Sequence, residues 1–199
     1  GFVLNVTEAN GSRIPMQKHQ TPSPPGSTDL PKERLDKEAS SIENDPPEGC
    51  VAWPREGKTR TWEAIVSGLV DSPYKGGMFT LRIDFPQEYP LVAPKITNVY
   101  FETPIYHCNV DKDGDEVCGD VLWDWKPERK MSEVLTSVRS MLSSPQLTSP
   151  AVAPIAALFV RNRARHDKNA REHTRHHAML PAGCLTALKP QQEGKTTRV

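Results

Sequence analysis

Apolar residues recur along this chain with two periods, and each period predicts a different element. Between Pro31 and Asn44, Leu35, Ala39 and Ile42 fall at i, i+4 and i+7, one stripe of an amphipathic helix, with Pro31 near its start and Pro46-Pro47 beyond its end. Four short runs follow, Cys50 to Trp53, Thr61 to Gly68, Met78 to Phe85 and Lys95 to Phe101. They are rich in aromatic and β-branched residues, are separated by Gly/Pro turns, and read as strands. The third alternates most cleanly, with Phe79, Leu81, Ile83 and Phe85 on one face and Thr80, Arg82 and Asp84 on the other. A half-buried antiparallel meander with the early helix over one face fits this pattern. Prolines from Phe85-Pro86 through Ala93-Pro94 exclude regular structure there and predict a rigid loop exposing Leu91 and Val92. Further on, Met131, Val134, Leu135, Val138, Met141 and Leu142 repeat at helical spacing, the strongest such signal in the chain. Ser132 is the expected cap of that helix, and Pro145 and Pro150 end it. Ala151 to Val160 begins another helix, and Arg161 to His177 reads as a solvated terminal one.

Composition adds the organisation around this core. A chain of 199 residues suits one domain with tails. Residues 1–28 mix Pro, Ser and Gly without apolar periodicity and read as a flexible extension whose only sticky residues are Phe2, Val3 and Leu4. Residues 29–180 form the expected domain, and 181–199 read as a tail. Net charge is zero, but Asp29 to Lys126 carries 19 acidic against 11 basic residues and Glu128 to Val199 carries 5 against 12. Such a dipolar chain points to charged protein partners. It argues against a nucleic-acid binder, as does the lack of aromatic residues between the basic positions of 161–177. No apolar run approaches the length of a membrane span, and neither a membrane nor a nucleic acid is an expected partner. The cysteines Cys50, Cys108, Cys118 and Cys184 show no C-x-x-C pair, so neither a disulfide framework nor a zinc module is expected. A reduced protein of the cytoplasm or nucleus is the simplest reading. Asp111 to Glu116 does not match a calcium loop, because Gly114 is fourth and Leu122 twelfth.

The chemistry concentrates in two neighbouring stretches, Pro104-Ile105-Tyr106-His107-Cys108-Asn109-Val110 and, after the acidic turn, Glu116-Val117-Cys118-Gly119-Asp120-Val121-Leu122. A thiolate accepts an acyl group, an asparagine N–H can donate to a developing oxyanion, and a carboxylate can steer an incoming amine. The order Tyr-His-x-Asn, acidic-Gly turn, Val-Cys-x-Asp-Val-Leu and Trp-x-Pro resembles the active-site region of ubiquitin-conjugating enzymes. The resemblance runs from about Lys32 to Met179. It takes in Asn44-Asp45-Pro46-Pro47, Asp71-Ser72-Pro73-Tyr74-Lys75-Gly76-Gly77, Phe85-Pro86-Gln87-Glu88-Tyr89-Pro90 with Ala93-Pro94-Lys95, and Ala170-Arg171-Glu172-His173-Thr174.

That resemblance implies an α+β UBC fold: an N-terminal helix, a four-stranded antiparallel meander, an active-site loop and C-terminal helices. It also implies that Cys118 carries ubiquitin as a thioester received from an activating enzyme and passes it to a lysine amine of a substrate protein, usually with a ubiquitin ligase. Asp120 is then expected to orient the amine, Ser149 to stand at the gate beside the cysteine, and Asn109 to stabilise an oxyanion or order the loop. His107 and Tyr106 are implied to be structural rather than catalytic. Leu91, Pro127 and Glu128 match ligase-contacting positions, and Arg34 and Lys37 match contacts to the activating enzyme. No metal or cofactor is expected, since the activating enzyme consumes the ATP.

The sequence departs from the family pattern in several places. Cys108 stands where proline is usual, Gly119 where leucine is common, Leu91 for phenylalanine and Glu128 for a small residue, and the acidic turn is one residue longer. Cys108 reads as a spare buried thiol, with a Cys108–Cys118 disulfide as the competing reading. The rivals for function are carriage of another ubiquitin-like modifier and a noncatalytic ubiquitin-binding variant. Cys118 together with Asn109 argues against the second.

Overall fold

The computed structural model describes residues 30–92, 99–111, 117 and 125–179. Helix α1 (Leu30–Asn44) precedes strands β1 (Cys50–Arg55), β2 (Lys58–Ser67), β3 (Met78–Asp84) and β4 (Val99–Phe101), and α2 (Met131–Ser143), α3 (Ala153–Arg161) and α4 (Arg163–His177) follow. The strands form one antiparallel meander in the order β1-β2-β3-β4. This is the α+β architecture that the hydrophobic pattern predicts.

The strand alternation turns directly into burial. Phe79, Leu81 and Ile83 of β3 and Trp62, Ala64 and Val66 of β2 point to one side and are buried, while their alternate neighbours are half-exposed. The register Val66 opposite Phe79 and Ala64 opposite Leu81 brings both apolar rows to the same face. Leu35 and Ile42 of α1 and the apolar stripe of α2 belong to the same buried cluster. Burying one such aliphatic or aromatic side chain contributes about 1.5–3 kcal/mol, so the sheet and two helices form a single core.

The boundaries differ from expectation where local geometry overrides composition. β1 runs on through Pro54 to Arg55, because β1 is an edge strand and a bulge between Pro54 and Arg55 accommodates the ring. β2 starts earlier, at Lys58, because Glu56 and Gly57 close a tight hairpin with Gly57 at φ +71°. Residues 93–98, where the fourth run was expected to begin, lie outside the described residues.

The expected Ser132 cap is incorrect. Ser132 lies inside α2, Lys130 stands at the cap position, and no side chain adjacent in sequence caps the helix. The Glu38 carboxylate of α1 accepts the Met131 N–H instead, at 2.6 Å, and puts negative charge at the helix N-terminus. The solvated reading of the terminal helix also needs correction. His166, Ala170 and Thr174, spaced at i, i+4 and i+8, are buried, and only the remaining faces of α4 are solvated. Asn162 separates α3 from α4, its side chain accepting the Arg165 N–H at 3.0 Å.

Candidate active site

Beyond β4 the chain through residues 104–110 lies outside the ladder, so its polar groups need other partners. The Tyr74 hydroxyl donates to the Tyr106 carbonyl at 2.7 Å. His107 is buried, and its Nδ1 accepts the Asn109 backbone N–H at 3.1 Å. Because a backbone N–H can only donate, Nδ1 carries no proton. Nε2 therefore carries it and donates to the Met141 carbonyl at 3.1 Å. Burial pushes the His107 pKa down to about 4, so the ring is neutral at physiological pH with both nitrogens engaged by backbone. That geometry gives His107 no free nitrogen with which to act as a base.

Asn109 is completely buried. Its Oδ1 accepts the Gln146 N–H at 2.8 Å, and its Nδ2 donates to the Gln146 carbonyl at 2.7 Å, so one amide reads both polar groups of a residue 37 positions away. Val152 adds a further tie by donating its N–H to the Cys108 carbonyl at 2.9 Å. Ser149 lies between these two anchors and is exposed. Cys108 is a buried free thiol whose pKa burial pushes up, and its Sγ approaches Asn109 Oδ1 at 3.6 Å. Val110 and Val117, both buried, form an isolated antiparallel bridge. Cys118 and Asp120, the residues expected to carry the acyl group and orient the amine, lie outside the described residues.

Tyr106 is half-buried against the core, and its hydroxyl accepts from Asn169 Nδ2 at 3.4 Å. The two loops expected to meet a ligase lie side by side. Leu91 is 77% exposed and Val92 is exposed beside it, Pro127 is half-buried, and Glu128 is exposed. Between the loops the Trp125 indole N–H donates to the Pro90 carbonyl at 2.8 Å, and the Tyr89 and Trp125 rings stand 5.7 Å apart. On α1, Lys37 is exposed, whereas the Arg34 guanidinium is turned inward to Glu38 and to the Arg129 carbonyl.

Sequence reasoning missed Gln146, Met141 and Glu38. The first two act through backbone, which leaves no residue-type signal. Glu38 did leave one, since it stands three positions after Leu35 and four before Ile42, a charge on the apolar stripe. Among the described residues, no group of three or more His, Cys, Asp or Glu side chains is placed to hold a metal ion. No described helix is long and apolar enough to cross a membrane.

The arrangement is that of a known family. A family model described as ubiquitin-conjugating enzyme matches residues 34–174. Among solved structures, the E2 domain of a Toxoplasma gondii ubiquitin conjugating enzyme is similar, with a TM-score of 0.67 and 31% identity over 74% of this chain and 98% of that one. With the helix, meander and C-terminal helices in the same arrangement and the match spanning the sheet, the pinned loop and α2 to α4, the chain belongs to the ubiquitin-conjugating enzyme family.

Proposed function

We propose that the chain accepts ubiquitin from an activating enzyme as a thioester on Cys118 and transfers it to a lysine amine, with a ubiquitin ligase usually bringing the substrate. The observation that carries this reading is the Val110–Val117 bridge, which brings the residue before Cys118 beside the residue after the buried, doubly bonded Asn109. In the first step the Cys118 thiolate attacks the thioester carbonyl, and the activating enzyme's own thiolate leaves. Thioester exchange needs little assistance, because a thiolate is a strong nucleophile and the acyl group is already activated.

The second step is more demanding. At pH 7 only on the order of 0.05% of a lysine amine is neutral, since its ordinary pKa is near 10.4. The amine attacks the same carbonyl, its proton passes to solvent or a nearby carboxylate, and Cys118 leaves as thiolate. Asp120 and the exposed Ser149 flank this step in the proposed reading, and Asn109 keeps the loop in register. ATP is consumed by the activating enzyme, so this chain needs no cofactor.

The test is to incubate the full chain with ATP and each of several pairs of modifier and activating enzyme, then to look for an adduct cleaved by thiols. A ubiquitin adduct is expected in the wild type and in Cys108→Ala, and none in Cys118→Ala. An adduct that survives in Cys118→Ala overturns the reading. An adduct formed only with another ubiquitin-like modifier keeps the chemistry and replaces the cargo.

A further inference from the structure

Glu38 joins three segments that sequence keeps far apart. The residue is only 7% exposed, yet it carries a carboxylate. Oε1 accepts from the Arg34 guanidinium within α1 and from the Tyr89 hydroxyl at 2.7 Å. Oε2 accepts the N–H of Met131, the first residue of α2, at 2.6 Å. Arg34 extends the cluster by donating from Nη2 to the Arg129 carbonyl at 3.0 Å. Tyr89 extends it in the other direction, because its ring faces Trp125 and the Trp125 indole donates to the neighbouring Pro90 carbonyl. Residues 89–90 and residues 125–131 are thus connected to each other directly and, a second time, through one carboxylate beneath them.

We propose that Glu38 is a positioning residue for ligase engagement: its carboxylate fixes the spacing of the loop presenting Leu91 relative to the loop presenting Pro127 and Glu128. The inference rests on the ligase-assisted transfer given under Proposed function and on the family resemblance that matches Leu91, Pro127 and Glu128 to ligase contacts. Loops without secondary structure lose conformational entropy when a partner orders them, and a buried tie made in advance removes part of that cost. A carboxylate suits the position because all three groups facing it are donors. An amide here would set its own N–H groups against the Met131 N–H or the Arg34 guanidinium, neither of which can accept. Burial and the adjacent Glu38 push the Tyr89 pKa up, so the hydroxyl remains a donor.

The test uses the full chain charged with ubiquitin, in the wild type and in Glu38→Gln and Tyr89→Phe. Three readouts are taken: the concentration of a ligase domain that half-saturates stimulated discharge to lysine, the discharge rate without ligase, and the NMR position of the Trp125 indole N–H, assigned with Trp125→Phe. The expected result is a rise of about fivefold in the half-saturating concentration, the equivalent of one lost hydrogen bond. A displaced Trp125 signal and unchanged ligase-free discharge should accompany it, with discharge timed only after charging is complete. A merely structural role would lower all rates together. An unchanged half-saturating concentration in both variants, or ligase-free discharge falling as far as stimulated discharge, overturns the proposal alone. If the wild type charges but no ligase domain stimulates its discharge, the ligase-contact premise falls and takes the proposal with it; if the wild type does not charge at all, the proposed function falls first.

Discussion

Glu38 and Asn109 are both buried, and both reach backbone far away in sequence, yet they hold the chain in different ways. Asn109 is neutral and pairs with both peptide groups of Gln146, donor to acceptor and acceptor to donor, with the adjacent Cys108 Sγ 3.6 Å from its Oδ1. Glu38 is charged and collects donors from α1, the Tyr89 loop and the start of α2. The first device registers one loop against another beside the proposed thioester. The second ties together α1, the Tyr89 loop and the start of α2. Segments outside the ladder and the helices are here held in part by a buried polar side chain, a neutral amide in one case and a carboxylate in the other.

Removing the charged tie should have the largest effect. Glu38→Ala leaves the Arg34 guanidinium, the Tyr89 hydroxyl and the Met131 N–H without their acceptor, and a loss of about 3 kcal/mol in urea unfolding is expected. A loss below about 1 kcal/mol would mean that water replaces the carboxylate and that the two devices do not differ in kind.

Acid attacks the other device through its neighbour. The folded His107 has its pKa depressed to about 4 from the ordinary 6.5, so the unfolded chain takes up a proton before the folded one does. The full contribution is present above pH 6.5, is lost progressively as pH falls, and is gone below about 4, for a total of about 3 kcal/mol. Protonating Nδ1 would also break its bond from the Asn109 N–H. Urea unfolding measured across that range should show the slope, and His107→Gln should flatten it.

Asn109→Ala is expected to cost about 2 kcal/mol, because both polar groups of Gln146 lose their partner. The same variant should still charge with ubiquitin but discharge slowly to lysine, which single-turnover assays would separate from the stability loss. Unaltered discharge would confine Asn109 to folding. Smallest of the four is Tyr74→Phe, which removes only the hydroxyl bond to the Tyr106 carbonyl and should cost about 1 kcal/mol by thermal or urea unfolding.

The elements were legible where periodicity is strong. Phe79, Leu81 and Ile83 alternate in sequence and in burial, and the apolar stripe of α2 is buried from Met131 to Leu142. Leu91 and Val92 are exposed as the surrounding prolines imply. What the sequence hid is long-range and polar. The α2 cap comes from a residue 93 positions upstream, and Ser132, although the better local candidate, is passed over because Glu38 already satisfies the helix N-terminus. Arg34, expected at a contact to the activating enzyme, stands one turn before Glu38, and its guanidinium is turned inward to that carboxylate and to the Arg129 carbonyl. The partners of His107 and Asn109 are peptide groups of Met141 and Gln146, which almost any residue other than proline would have supplied. Periodicity records which faces are apolar; it does not record which backbone a buried polar group will meet.

The clasp of Val110 against Val117 separates two quantities that a loop ordinarily couples, namely how many residues it contains and where its far end stands. With Val117 paired to Val110, the entry to the stretch that follows is set by a bridge at the core as well as by the residues in between.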